Sequence, residues 1–431
     1  MTIWRLRTGA DRRIRSGHPW IFSNELQQSP KGHPPGSPVV LLDAGGKFLA
    51  SGYGNPHSLI AFRALSFSSS DQEITTDFLQ TKILRSWQQR HWMGYKNSFR
   101  MVYGEGDYLP GLVIDRYVLK DRTAQVLAVQ VLTAGLEFLL KNPAKFFELL
   151  VQESQEKGLS EFSWEKTAIV LRNDVNIRRL EGLEVMDPQI IKEVAGIDLK
   201  QSEILVDEVL PDLESQPIVM SCDLFEGQKT GFFLDQVFNI QVVAQKLMNS
   251  QFPDRKIRIL DLCCYVGHWS TQLTRALKKK GFEVETTLVD VSAPALEFAK
   301  KNADREGAVT ICQKLDVLED LGVLPTRHYD VVIADPPAFI KAKKDVPTGR
   351  HAYLKLNAAA FKHVLRGGYV VSCSCSGLFV EEEMMETLRK SIQRTEVEAR
   401  CIAHGGHAAD HPNLMSFPEG FYLKMFLHQV I

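Results

Sequence analysis

Between residues 200 and 431, apolar runs of strand type alternate with segments of helical periodicity, and no other feature restricts the chain as much. The strand-type runs are Ile257–Leu262, Val284–Asp290, Val309–Gln313, Tyr329–Ala334 and Tyr369–Ser374. Ser270–Lys280, Ala293–Asn302, Ala352–Leu365 and Val380–Ile392 read as the helices between them. Such repetition predicts an α/β fold, a doubly wound parallel sheet. A last apolar run, Tyr422–Leu427, has no helix after it and is expected as an antiparallel edge strand.

The preceding sequence is patterned differently. Residues 1–72 carry short β-type runs, Pro38–Asp43, Phe48–Tyr53 and Leu59–Leu65, separated by Pro- and Gly-rich turns, which predicts a small β-barrel or sandwich. Ser66–Gln72 is Ser-rich and polar, as a linker would be. Residues 73–200 begin with helical periodicity (Phe78, Ile83, Leu84, Trp87) and continue with strand-type runs at Ala124–Leu132 and Thr167–Leu171, a mixed α+β pattern. Three domains are therefore expected, at 1–72, 73–200 and 201–431.

Charge and cysteine usage narrow the setting. The net charge is −1, yet residues 1–72 hold eight Lys or Arg against four Asp or Glu, a local basic excess compatible with a polyanion. The seven cysteines all follow residue 220 and include no Cys-x-x-Cys pair, which favours reduced thiols over a disulfide framework. No apolar run suits a membrane span, and the N-terminus lacks an apolar signal core, so a cytoplasmic location and no membrane partner are expected.

In doubly wound sheets, ligands bind beyond the carboxyl ends of the strands. Asp261 ends the first strand-type run, Asp290 the second, and Asp316 follows the third. Tyr265 and Gly267 lie in the turn after the first, where a glycine lets backbone approach a ligand. Asp290 suits a ribose diol and Asp316 an adenine amine. No Gly-x-Gly-x-x-Gly or phosphate-binding loop is present, so the acceptors fit S-adenosylmethionine better than a dinucleotide or nucleoside triphosphate. Each acid taken singly also suits the cap of the next helix.

Two further strand ends carry reactive groups. Asp335-Pro336-Pro337-Ala338-Phe339 follows Val331–Ala334, and Cys375 follows the run from Tyr369. A thiolate that adds to carbon 6 of a pyrimidine makes carbon 5 nucleophilic, and an acid at ring nitrogen 3 prevents charge accumulating in the ring. Asp335 and Cys375 are the candidate pair, with Cys373 read as strand packing. The Asp-Pro-Pro-x-Phe pattern also accompanies methylation of flipped purines or amines, which fits Pro336, Pro337 and Phe339 as base contacts. Lys341, Lys343, Lys344 and Arg350 then form a basic loop for phosphates, or simply a solvated face.

These motifs carry a resemblance. Ser16–Phe22 with Gly52–Asn55, Gly104–Leu112, Arg178–Leu183, Gly227–Gln236 and the stretch from His404-Gly405-Gly406 to Tyr422-Leu423-Lys424 resemble the large-subunit ribosomal RNA cytosine-carbon-5 methyltransferases of the RlmI type along the whole chain. The resemblance implies an N-terminal PUA-like RNA-binding barrel, a central α+β domain and a Rossmann-like class I methyltransferase sheet. It implies S-adenosylmethionine as cofactor, large-subunit ribosomal RNA as partner, and Arg12, Arg13 and His18 among the RNA contacts. Placed on the wider family's strand-end pattern, Gly367-Gly368 sets the nucleophile at Cys375 and the following acids at Glu381 to Glu383. This chain departs from the pattern at His268-Trp269 in the cofactor turn and at Val237–Ile240. The wider family's second cysteine falls at Ala338, so product release needs another base. A homodimer stays open. Two other readings stand beside this one: methylation of a guanine exocyclic amine, and a non-catalytic RNA-binding assembly factor. A metal site at Cys401, His404, His407 and His411 is not expected, because the resemblance accounts for His404 and His411.

Overall fold

The computed structural model describes residues 2–70, 73–212, 215–252 and 256–431. The end of the expected linker, Asp71-Gln72, lies outside them. The chain divides into two compact units. The first is Met1–Leu205 with Asp223–Phe232 and Ala409–Gly420; the second is Val206–Cys222, Phe233–Ala408 and Phe421–Ile431.

The first unit contains two sheets. Strands β1 (Thr2–Arg5), β2 (Trp20–Phe22), β3 (Pro38–Leu42), β4 (Phe48–Gly54) and β5 (Ile60–Ser66) form one, in the order β1-β3-β4-β5-β2, with the short helix α1 (Arg12–Arg15) after β1. Their inward residues, including Trp4, Ile21, Leu41, Ala50 and Phe62, make a core of their own. Gly54 is required there, because a Cβ would sit 2.5 Å from the Trp4 ring. The other sheet follows helix α2 (Thr76–Trp92), whose Thr75 cap accepts from the Phe78 N–H. It contains β6 (Phe99–Tyr103), β7 (Leu112–Leu119), β8 (Gln125–Val131), β9 (Thr167–Leu171), β10 (Gln189–Lys192) and β11 (Ser202–Val206), in the order β10-β9-β8-β7-β11 with β6 also on β7. Helix α3 (Ala134–Leu139) leads to α4 (Pro143–Glu156), which buries Phe146, Phe147, Leu150 and Val151 at helical spacing.

The second unit begins with β12 (Ile218–Cys222) and helix α5 (Val237–Met248). It continues through β13 (Lys256–Leu262), α6 (His268–Lys279), β14 (Glu283–Asp290), α7 (Ala293–Arg305), β15 (Val309–Lys314), β16 (Tyr329–Ala334), α8 (Val346–His363), β17 (Val364–Ser374), α9 (Glu381–Gln393), β18 (Ala399–Gly405) and β19 (Lys424–Val430). The sheet order is β15-β14-β13-β16-β17-β19-β18, with β13 to β17 parallel and β19 antiparallel to both neighbours. The order reverses between β13 and β16, and in doubly wound sheets such a reversal is where the ligand-binding crevice lies, beyond the carboxyl ends. Alternation assigns the two faces. Ile259, Val331, Ile333 and Val371 pack with residues of α5 and α6. Leu260, Val332 and Val370 pack with residues of α8.

One expectation fails. The last strand is not at the sheet edge; β18 covers it. Most β18 side chains are exposed or half-buried, so the segment carries no apolar run by which to read a strand.

Candidate functional site

Four strand ends of the second unit converge on the crevice. Asp261 is the penultimate residue of β13 and is fully buried. Its Oδ2 accepts from the Ser270 hydroxyl at 2.7 Å, while Oδ1 is buried without a hydrogen-bond partner. Burial first, then the neighbouring Asp335 and Asp290, push its carboxyl up to about 7, against the counteracting Ser270 bond.

The raised value has a consequence for stability. The folded carboxyl holds its proton up to about 7, whereas the unfolded one loses it near 3.8. Stability contributed by this group is complete below the unfolded value and is lost as pH rises through the folded one, by at most about 1.4 kcal/mol per pH unit. Asp261→Asn is therefore expected to flatten the decline in stability between pH 4 and 7, as read from urea unfolding across this window.

The turn after β13 is tightly wound. Cys263 has φ 62°, Tyr265 φ 49° and Gly267 φ 75°. Two non-glycine residues in the left-handed region mark a turn whose shape is imposed by its surroundings. The Tyr265 N–H donates to Asp290 Oδ2 at 2.9 Å, and the Ser292 N–H to Oδ1 at 2.9 Å, so Asp290 fixes both turns while each oxygen keeps a lone pair. At Gly267 a Cβ would also meet Ala299 of α7 at 3.1 Å, so helix packing is a further reason for glycine in this turn. Asp316, exposed beyond β15, accepts from the Leu318 N–H at 2.8 Å.

Asp335 follows β16 and is half-buried. Gln236 Nε2 donates to both carboxylate oxygens, at 2.9 and 2.8 Å, and Trp269 Nε1 donates to Oδ2 at 3.0 Å. The Asn239 amide donates to Gln236 Oε1 at 2.7 Å, which fixes that amide's orientation. Sequence reasoning missed Gln236 and Trp269. The bulky Trp269, which looked like a departure in the cofactor turn, supplies a donor to the carboxylate. His268 is buried, and burial brings its imidazole down to about 4.

Cys375 follows β17, whose register sets Ser372 beside Ala334 of β16. Its thiol is half-buried, with Sγ 3.9 Å from the Pro336 carbonyl oxygen, one residue after Asp335. Cys373 is fully buried in the core with Val371 and Met425, and burial pushes its thiol well up. Around Cys375 runs a hydroxyl network: Ser374 Oγ donates to Tyr353 Oη at 3.0 Å, and Tyr353 Oη lies 2.9 Å from Ser376 Oγ. Phe339 packs on the same tyrosine at 4.8 Å between ring centres. Pro336 is buried and Pro337 exposed. Lys424, the first residue of β19, is buried against this loop, a contact that only three-dimensional strand pairing reveals.

The basic residues separate into two groups. Lys341, Lys343 and Lys344 are exposed in the connection before α8. Arg350 pairs with Glu383 of α9, while Glu381 and Glu382 are exposed. In the first unit Arg12 is exposed and Arg13 reaches Glu419 at 3.4 Å. His18, expected at an RNA contact, is only 3% exposed. Its Nδ1 accepts from the Trp20 N–H at 3.1 Å, and Arg13 and Glu419 approach Nε2, so the ring orders its loop instead of facing solvent.

Cys401 and His404 lie on β18, and His407 Nε2 accepts from the Leu423 N–H. His411 bonds to Asp410. Among the described residues no group of three or more His, Cys, Asp or Glu side chains is arranged to hold a metal, and no helix is long and apolar enough to cross a membrane.

Residues 5–67 match the PUA-like domain family and residues 235–400 the methyltransferase small domain. The chain is 31% identical over 428 residues to a ribosomal RNA large subunit methyltransferase I from Tolumonas auensis, covering 97% of each. It is 28% identical over 437 residues to the protein so named from Erwinia tasmaniensis, covering 99% of this chain and 98% of the relative. Two solved structures share the fold over 100% of both chains. One, described as a SAM-dependent methyltransferase from Streptococcus mutans, has a TM-score of 0.72 at 15% identity. The other, described as a methyltransferase complexed with SAH, has a TM-score of 0.73 at 16% identity.

Proposed function

This chain belongs to the ribosomal RNA large subunit methyltransferase I family, and from that premise we propose that it methylates carbon 5 of a cytosine in large-subunit ribosomal RNA through a covalent bond to Cys375. The observation that carries the reading is the convergence of a half-buried thiol and a triply held carboxylate at the ends of adjacent parallel strands, with Cys375 Sγ 3.9 Å from the carbonyl following Asp335.

S-adenosylmethionine, when bound, supplies the methyl group. The residues fit it: Asp261 offers a buried oxygen without a partner, and Asp290 keeps acceptor capacity at the end of β14 for a ribose diol. Asp316 is the candidate for the adenine amine. The thiolate of Cys375 forms a bond to carbon 6, and the electron pair of the 5,6 double bond moves to carbon 5. Asp335 in its acid form donates to ring nitrogen 3 and passes its proton there as the electron pair enters the ring. The Gln236 and Trp269 donors stabilise the carboxylate left behind, and the proton returns to Asp335 when the double bond re-forms. After methylation a base takes the carbon-5 proton, the double bond re-forms and sulfur leaves as thiolate. Pro337 and Phe339 line the approach of the flipped base.

Bisulfite mapping of ribosomal RNA from a deletion strain tests the reading. One large-subunit cytosine is expected to lose its 5-methyl group and regain it on complementation. An unchanged cytosine map with a lost purine methyl group would favour amine methylation, which uses the Asp335 motif without the thiol.

The exposed Lys341, Lys343 and Lys344 are assigned to phosphates beside the target, together with Arg350, whose charge Glu383 partly offsets. In the first unit, Arg12 and Arg13 are assigned to the same polyanion. Lys343→Ala with Lys344→Ala is expected to weaken binding of all RNA sequences alike and to reduce the log–log salt slope by about one to two units. Filter binding over a salt series measures both.

A further inference from the structure

Lys424 has no assigned part in the chemistry, and its position is unusual. Its side chain is buried, 7% of the residue being exposed, so the ammonium has little water. Strand pairing sets it directly opposite Ser374, the residue before Cys375. Its Nζ donates to the carbonyl oxygen of Ser376, the residue after Cys375, at 2.9 Å, and to that of Tyr422 at 2.8 Å. The amine is thus anchored on the carbonyl that directly follows Cys375 and on that of Tyr422, and both carbonyls are neutral. Among the described residues no carboxylate forms an ion pair with it; Glu381 and Cys375 act on it only through space.

We infer that Lys424 is the proton partner of Cys375, taking the thiol proton before attack and facing the thiolate as an ammonium when sulfur leaves. This rests on the covalent reading above. The hydrogen count suits the role. A neutral amine has two hydrogens, one for each carbonyl, and one lone pair. That pair receives the proton from Cys375 Sγ, giving an ammonium and a thiolate. The sulfur electron pair then forms the bond to carbon 6. On release the carbon–sulfur pair returns to sulfur beside the same ammonium, and the carbon-5 proton goes to a separate base. Burial supports the exchange by bringing the Lys424 amine down to about 8, against the opposing pull of Cys375 and Glu381. Other titratable groups nearby are Tyr353 of α8, linked through Ser374 and Ser376, Cys373, on which Cys375 and Asp335 act through space, Asp335 itself, and Asp235, which accepts from the Tyr422 hydroxyl at 2.6 Å.

The test is the pH profile of Cys375 alkylation by iodoacetamide in the full-length protein, read peptide by peptide by mass spectrometry. The exposed Cys401 is the internal control. Wild-type Cys375 is expected to titrate below the ordinary thiol value of about 8.5. Lys424→Met should raise that midpoint by about one unit or more, slowing alkylation at pH 7.5 about tenfold, with Cys401 unchanged. Lys424→Arg should restore the low midpoint, because it keeps the charge, yet leave methyl transfer impaired, because guanidinium does not take up the thiol proton. A wild-type midpoint at or above about 8.5 overturns the inference even if Lys424→Met does not fold. So does a folded Lys424→Met with an unmoved profile. Failure of the covalent reading itself has a different signature: the titration shifts as described, but no RNA adduct forms.

Discussion

Cys375→Ala is expected to lower methyl transfer to ribosomal RNA by at least about 10⁴-fold, with the fold and RNA affinity retained. Without sulfur at carbon 6, carbon 5 of cytosine is not nucleophilic, and no other thiol can substitute. Cys373 is two residues away but lies in the core under α5 and α6, and burial holds its thiol well above the ordinary range. Cys373→Ala should therefore keep most of the turnover, and the lost packing should cost about 1 kcal/mol of stability. Tritium transfer from labelled S-adenosylmethionine, with thermal unfolding as the control, separates the two variants. Equal loss in both would move the nucleophile or unseat the chemistry.

Asp335→Asn is expected to lower turnover by about 10²–10³-fold, again with RNA binding retained. An amide keeps the shape but cannot accept from Gln236 and Trp269 with both atoms. Its NH2 would face the Gln236 NH2, two donors in opposition. The ring then loses the group that holds nitrogen 3 as charge moves out of the 5,6 double bond. Single-turnover kinetics at saturating RNA measures the loss, and a rate within threefold of wild type would remove Asp335 from the chemistry.

The parallel part of the catalytic sheet was legible because most of its strands are apolar runs that stop at a polar residue. Val331 to Ala334 followed by Asp335 is one such case, and Tyr369 to Ser374 followed by Cys375 another. Strand adjacency then follows from the doubly wound pattern, and β16 indeed lies beside β17. β18 was not legible, since its side chains are largely solvated and leave no apolar signature. The groups that hold the site were not legible either. Gln236 precedes α5, Trp269 is in the first turn of α6, and Lys424 opens β19, some fifty residues from Cys375 along the chain. Their convergence is a product of tertiary packing, and no local spacing announces it. His18 shows a different gap: its residue type suggests an RNA contact, and only the folded structure reveals that Trp20, Arg13 and Glu419 approach its ring nitrogens.

The most direct test of covalent catalysis is to react the protein with S-adenosylmethionine and ribosomal RNA carrying 5-fluorocytosine at the target. Fluorine at carbon 5 cannot leave as a proton does, so the complex should stall after methylation. Mass spectrometry after proteolysis should then find a methylated 5-fluorocytidine attached to the peptide bearing Cys375. A trapped nucleotide on another cysteine, or full methyl transfer with no trapped species, would contradict the account.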